Sequence, residues 1–168
     1  MKCCVTGHRP NGFPFDYYQN NKRKTNYINI LHFQIIEMIK EGYNHFITGM
    51  AMGVDLDFAI SVLYLKNNVF CNKKIILESA IPYPNSNRSW SYEFRNKYNY
   101  VMQNSDIITT VSNYYFSGCM QKRNEYMVNK SDLILAVWNE IEKGGTWNTI
   151  KYARYKNKII RYILLNNI

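Results

Sequence analysis

The sequence predicts one α/β domain over residues 1–168, with a Rossmann-like, doubly wound, mostly parallel sheet and helices on both faces. Short apolar runs alternate with amphipathic segments, turn residues separate them, and 168 residues with 46% hydrophobic content suffice for one core. Right-handed crossovers then bring the carboxyl ends of the strands to one edge of the sheet. Ligands of such sheets bind beyond that edge, so the loops that follow strands form the candidate site.

The first strand is predicted at 2–6, where an apolar run ends at Gly7. The polar stretch 8–24 contains two prolines and many asparagines and is predicted to be a loop. A helix is predicted from Thr25, with Gly42 as its terminator, because these apolar residues recur at helical spacing: Ile28, Leu31, Ile35, Met38 and Ile39.

The second strand is predicted at 45–48 and is followed by a glycine turn at 49–53. Asp55 opens the next helix, which continues to about Lys66. The same alternation predicts the remaining strands at 74–81, 106–111, 133–138 and 159–164, and the remaining helices at 90–103, 121–130 and 146–155.

The charge, hydropathy and cysteine content of the chain limit the kinds of partner that we expect it to bind. The formal net charge of +9 and a pI near 9.3 favour anionic partners such as nucleotides or nucleic acid, although an AT-rich coding sequence would enrich lysine equally well. The start of the chain turns polar after a few residues and no apolar stretch is of membrane-spanning length, so we expect a cytoplasmic protein without a membrane partner. The four cysteines lack zinc-site spacing and are expected to be reduced, mostly buried thiols, with neither a metal nor a cofactor.

The loop after the first strand contains Gly7, His8 and Arg9. Gly7 permits close backbone approach and Arg9 offers a planar cation to a phosphate, although a glycine after a strand is often only a turn residue. His8 has no visible acid–base partner, so we expect it to contact a ligand rather than to catalyse.

The loop after the second strand combines Gly49, Met50, Ala51 and Gly53 just before a helix, where backbone amides and the positive helix end favour an anion. Asp55 has two interpretations: it accepts hydrogen bonds from a ribose, or it caps the helix.

Two further segments contribute candidates. Gly144, Gly145 and Thr146 predict a second anion-binding helix start, with Thr146 as an alternative cap. Arg123 and Asn124 lie near the beginning of the preceding helix, either in the site or on a solvated face. Five aromatic residues in or beside these loops are candidates to stack on a base: Trp90, Tyr114, Tyr115, Phe116 and Trp147.

Taken together, these loops resemble the SLOG superfamily, which includes the Smf/DprA and LOG branches, and most closely its YpsA-like members. The resemblance extends over nearly the whole chain. The similarity is carried by VTGHRP at 5–10, TGMAMGVD at 48–55, MQKRNEYMV at 120–128, SD at 131–132 and GGT at 144–146. The resemblance implies a Rossmann-like nucleotide-binding domain, a pocket for nucleotides or ADP-ribose-like molecules, and a homo-oligomer.

The same resemblance bears on catalysis. The phosphoribohydrolases of the LOG branch use an arginine that corresponds to Arg123, together with a glutamate three residues after the threonine of a Gly-Thr motif. Thr149 occupies that place here, and a hydroxyl cannot supply the carboxylate that stabilises positive charge on the ribose. Glu140 or Glu142 from the adjacent loop could substitute for it.

We therefore expect a non-catalytic sensor or sequestering protein for a nucleotide-derived ligand, either ADP-ribose-like or a cyclic nucleotide signal. One alternative is a nucleotide hydrolase of phosphoribohydrolase or N-glycosidase type, with Arg123, Asp55 and Glu140 or Glu142 in the site. A second alternative is a single-stranded DNA binder, because the 49–55 loop is similar to that of DprA.

Overall fold

Six parallel strands form a single sheet in the order β4-β3-β2-β1-β5-β6. The structure is a computed structural model that describes residues 1–168. The strands are β1 Lys2–Gly7, β2 His45–Thr48, β3 Ile76–Ile81, β4 Ile107–Thr110, β5 Leu133–Trp138 and β6 Ile159–Leu164. The helices are α1 Lys22–Lys40, α2 Val54–Asn68, α3 Tyr92–Asn104, α4 Cys119–Lys130 and α5 Gly144–Tyr155. The predicted doubly wound, Rossmann-like fold class is confirmed, and the sheet is parallel throughout.

Alternation along the strands sorts side chains between two helical layers. Cys3 and Val5 of β1 join the larger core cluster of 30 buried residues, which is built with α1, α2 and α3. Cys4, between them, joins a smaller cluster of seven residues that includes Met127 of α4 and Ala153 of α5. Because strand side chains alternate between faces, the helices cover both faces of the sheet.

The element boundaries differ from prediction in a few places. α1 begins three residues before Thr25, because the Asn21 side chain accepts a hydrogen bond from the Lys24 amide and caps the helix there. The stretch expected to be all loop also contains a short 3-10 turn, Pro10–Gly12. β3 starts at Ile76, α3 at Tyr92 and α5 at Gly144, each within two residues of the expected start.

The strand order reverses beside β1. From β1 the chain builds outward to β4, then crosses back to place β5 on the other side of β1. Loops after β1 and β5 consequently diverge towards opposite faces and leave a crevice at the carboxyl ends of these two strands.

Two composition-based expectations concern the cysteines and the membrane. Cys3, Cys4 and Cys119 are buried free thiols, whereas Cys71 is exposed. None of the five helices has both the length and the apolar character needed to cross a bilayer.

Candidate functional site

A cavity of about 390 Å³ opens at the carboxyl ends of β1 and β5, at the reversal point of the sheet. Its walls come from the end of β1 and the loop after it, the starts of α2 and α5, and the first turns of α4. Ten of the thirteen predicted ligand-binding residues line it: Gly7, His8, Arg9, Ala51, Asp55, Arg123, Asn124, Gly144, Gly145 and Thr146.

The other three predicted residues lie beside this cavity. Gly49 and Met50 line a smaller adjoining cavity, which shares Arg9, Ala51 and Arg123 with the main one. Gly53 lines neither cavity.

Arg123 and Asp55 form a buried ion pair between the two cavities. Nη1 of Arg123 lies 3.8 Å from Oδ2 of Asp55, and Nε of Arg123 donates to Oδ1 of Asn124. Arg123 is only 5% exposed, so its alternative placement on a solvated helix face is wrong. Burial lowers the pKa of Arg123 and raises that of Asp55, and the opposite charge of each partner counteracts the shift.

One nitrogen of this guanidinium has no hydrogen-bond acceptor. Nη1 of Arg123 is buried and unpartnered, since 3.8 Å to Asp55 is too long for a hydrogen bond. A buried donor without an acceptor is costly, and at a cavity wall an acceptor on a ligand would satisfy it.

The glycine turn before α2 uses many of its own amides. The Met50 amide donates to Oγ1 of Thr48, the Ala51 amide to Oδ2 of Asp55, and the Val54 amide to the His8 carbonyl. These three donors are therefore engaged within the protein, and the phosphate cradle expected of this turn is smaller than its glycines suggested.

The positions of Gly53 and Asp55 explain why this turn has its sequence. Gly53 caps α2 with φ +88°, and a Cβ there would lie 2.5 Å from the His8 carbonyl oxygen. Asp55 is the second residue of α2 and bonds back to Ala51, so the helix-cap interpretation of Asp55 is wrong.

The start of α5 forms the opposite wall. Lys143 precedes the helix without a capping side chain, while Gly144, Gly145 and Thr146 make up the first helical residues. Thr146 is thus not the cap that one interpretation expected. First-turn amides have no partner within a helix, and the three residues that begin α5 line the cavity at the positive end of the helix.

His8 is held by the loop after β5. The Asn139 backbone amide donates to Nε2 of His8, and the Asn139 side-chain amide donates to the carbonyl of Gly12. This contact requires an unprotonated Nε2, so the neutral ring carries its proton on Nδ1. Burial also lowers the pKa of His8, which favours the neutral ring.

The two loop glutamates that could replace the missing catalytic carboxylate do not line the cavity. Oε2 of Glu140 accepts from Asn166, and Glu142 is exposed. Thr149 is buried and donates to the Gly145 carbonyl within α5. Asp55 is the only carboxylate among the lining residues.

Several residues that line the main cavity were not among the predicted site residues. Thr6, Asn11, Gly12, Met120 and Lys143 also line the main cavity. Asn11 and Gly12 lie in a long loop with no periodic pattern, whereas the position of Lys143 beside two glycines at a helix start was an available signal.

Only one of the five candidate aromatic residues lines either cavity. Trp90 belongs to the smaller one. Trp147 stacks on Trp138, and the remaining three lie elsewhere, with Tyr114 and Tyr115 exposed.

Comparison with known proteins identifies the family of this chain. The YpsA model, described as the YspA SLOG family, matches residues 3–166. The chain belongs to this family. The YpsA-like resemblance drawn from the loops is therefore confirmed, and the cavity lies among the segments that carry it.

Three relatives of this YpsA-family chain come from Halalkalibacterium and Bacillus. A UPF0398 protein of Halalkalibacterium halodurans is 27% identical over 84% of this chain and 75% of its own length. The SPbeta prophage-derived protein YoqJ of Bacillus subtilis is 35% identical over 68% of this chain and 72% of its own length. A UPF0398 protein of Bacillus cereus is 23% identical over 94% of this chain and 85% of its own length.

Proposed function

We propose that this chain binds a nucleotide-derived ligand in the cavity between β1 and β5 and holds it without cleaving it. The observation that carries the proposal is the buried, unpartnered Nη1 of Arg123 at the cavity wall. A phosphate oxygen is a suitable acceptor, because arginine pairs with phosphate through short, charge-assisted hydrogen bonds.

The surroundings of Arg123 support the same class of ligand. The uncapped start of α5 offers amides and a partial positive charge, and Arg9 adds an exposed cation shared by both cavities. A volume of about 390 Å³ lies within the range typical of small-molecule sites. ADP-ribose-like molecules and cyclic nucleotides both combine phosphates with ribose, for which the Asp55 carboxylate is an acceptor.

A binding role is favoured over hydrolysis by the scarcity of carboxylates. Asp55 is paired with Arg123 and accepts from the Ala51 amide, so it is not a free base. Glu140 and Glu142 do not line the cavity. Sensing or sequestering a nucleotide signal needs only the binding step, and similarity to a prophage-derived protein fits sequestration of a host signal.

The test is native mass spectrometry of freshly purified protein, followed by calorimetric titration with AMP, ADP, ADP-ribose, NAD and a cyclic dinucleotide. We expect one of these probes to bind, to be recovered unchanged, and to bind at least about tenfold more weakly to Arg123→Gln, which removes a charge-assisted contact. The matched control is Arg95→Gln, because Arg95 is an exposed arginine of α3 whose side chain forms no hydrogen bond or salt bridge.

The other outcomes would favour a different function or overturn the proposed role of Arg123. Conversion of a probe to free base or to a ribose phosphate would replace binding with hydrolysis. Failure of every probe to bind, with oligonucleotide affinity lost in Arg123→Gln, would favour DNA binding at the cavity. Equal affinity of Arg123→Gln and wild type would overturn the proposed role of Arg123.

A further inference from the structure

Positive charge is concentrated in α5 and the segment after it. Residues 143–168 contain six lysines and arginines and no aspartate or glutamate, whereas residues 1–142 contain fifteen lysines and arginines with twelve acidic residues. Compositional enrichment in lysine would raise the charge along the whole chain, so it does not explain this asymmetry.

The cations of this segment are largely free of carboxylates. Lys143, Lys151, Arg154 and Lys156 are exposed, and none of them forms a salt bridge. Arg161 is the one exception, through Glu41. The charges of α5 are therefore available to an external anion.

Aromatic rings organise these cations on one side of α5. Trp147, Lys151 and Arg154 are spaced by four and three residues, which places them on a single helical stripe. Trp147 stacks on Trp138 with centroids 5.4 Å apart and an interplanar angle of 8°, and the Arg154 guanidinium lies 5.2 Å from the Trp147 centroid. Nη2 of Arg154 also donates to Oη of Tyr162.

The stack of Trp138, Trp147 and Arg154 holds the Arg154 guanidinium in position without neutralising its charge. A guanidinium that rests on an aromatic ring loses part of its side-chain freedom before a partner arrives, and its other face and remaining N–H groups stay available. Tyr155, the next residue, is 76% exposed, with Lys156 Nζ 5.1 Å from its ring centroid. The C-terminal part of α5 and its cap thus combine a positioned cation, cations without carboxylate partners and an exposed aromatic ring.

We propose that this α5 surface, defined by Lys151, Arg154, Tyr155 and Lys156, binds single-stranded nucleic acid without sequence specificity. The cations contact phosphates and Tyr155 stacks on a base, the combination by which proteins bind single strands. None of the four residues lines either cavity, so the surface is separate from the proposed nucleotide site.

The experiment measures fluorescence anisotropy of labelled oligo(dT) of increasing length over a range of salt concentrations. Wild-type affinity should rise with oligonucleotide length and fall with salt. In K151Q/R154Q the slope of log K against log salt should decrease by about 1.4, since each phosphate contact on a single strand contributes about 0.7. The matched control K22Q/R95Q removes two exposed cations from α1 and α3, on the other face of the sheet, and should retain the wild-type slope.

A second pair of variants tests stacking. Tyr155→Ser should weaken oligo(dT) binding at least about fivefold, and Tyr155→Phe should restore it, because the stacking ring rather than the hydroxyl is required. Tyr155 is exposed, so neither change should alter the unfolding midpoint.

Some results would overturn the proposal. These are no oligo(dT) binding at low salt, equal loss in K151Q/R154Q and K22Q/R95Q, or binding to phosphatidylserine vesicles but not to oligo(dT). Loss in Arg123→Gln alone would assign DNA binding to the cavity instead. The two proposals fail separately, because the α5 surface lies outside both cavities. Absence of nucleotide binding in wild type would overturn the nucleotide site alone, whereas unchanged oligo(dT) binding in K151Q/R154Q would overturn the α5 surface alone.

Discussion

Arg123 of α4 and Asp55 of α2 meet at the carboxyl edge of the sheet, with Nη1 and Oδ2 3.8 Å apart and both side chains buried. The two helices lie on opposite faces of the sheet, and the pair joins them beside the cavity. The pair leaves Nη1 without a hydrogen-bond acceptor, so an anion that accepts from Nη1 should stabilise this region.

Replacing Asp55 by Asn should destabilise the protein by about 3–5 kcal/mol, because it leaves the charge of Arg123 buried without a counter-charge. The free energy of unfolding in urea measures the effect. Glu93→Gln is the matched control: it breaks an exposed pair with Lys97 on α3 and should cost less than about 1 kcal/mol. Equal losses in the two variants would contradict a structural role for the buried pair.

Gly145→Ala should weaken ligand binding without changing stability. A Cβ at Gly145 meets no atom within 4 Å, so the protein tolerates it, but Gly145 lines the cavity where the ligand is proposed to lie. Calorimetry with the probe identified in the panel, and thermal unfolding, give the two readouts. Unchanged affinity would argue against a ligand at the start of α5.

Gly53→Ala, in contrast to Gly145→Ala, should destabilise the protein. The φ of +88° and a Cβ 2.5 Å from the His8 carbonyl oxygen both disfavour a side chain there. We expect a loss of about 1–3 kcal/mol, the usual cost of a strained backbone position. An unfolding midpoint equal to that of Gly145→Ala would contradict the close approach of the two loops.

His8 should be observed as the neutral Nδ1–H tautomer at pH 7. The Asn139 amide occupies Nε2, and burial lowers the pKa of His8 below its usual 6.5. Long-range ¹H–¹⁵N correlation spectra distinguish the tautomers and follow the titration. Detection of a proton on Nε2 at pH 7 would show that the contact with Asn139 is absent in solution.

The titration of Asp57 should make the folded protein less stable as the pH rises. It is buried under the loop between β1 and α1 and accepts from the hydroxyls of Tyr17 and Tyr27. Burial raises its pKa from 3.8 to about 6. The folded protein therefore binds this proton more tightly than the unfolded chain, and the resulting stabilisation is complete below about pH 4 and lost as pH rises through about 6.

Comparison of wild type with Asp57→Asn isolates this contribution, because the other titrating groups are common to both. The stability of wild type relative to the variant should fall by about 2–3 kcal/mol between pH 4 and 7, since each pKa unit corresponds to 1.36 kcal/mol. Urea unfolding at several pH values provides the measurement. A relative stability that increased with pH would reverse the assigned direction of the shift.

The order and type of the helices and strands follow from the amino-acid sequence alone. The periodic apolar residues of α1, the short apolar runs of β1 and β5, and the glycines after strands are properties of neighbouring residues, so their structural meaning can be predicted locally. Parallel strands connected by right-handed crossovers must end at one edge, and this rule predicts that Gly7, Asp55 and Gly145 lie near one another.

The contacts that these residues make depend on the tertiary structure. The pairing of Arg123 with Asp55, the Asn139 amide on His8, and the engagement of the Met50 and Ala51 amides depend on atoms of different segments. Helical spacing could not distinguish an Arg123 on a solvated face from one buried at a cavity. Local pattern determines which elements form, but a hydrogen bond or ion pair is specified only when the topology brings distant segments within a few ångströms of one another.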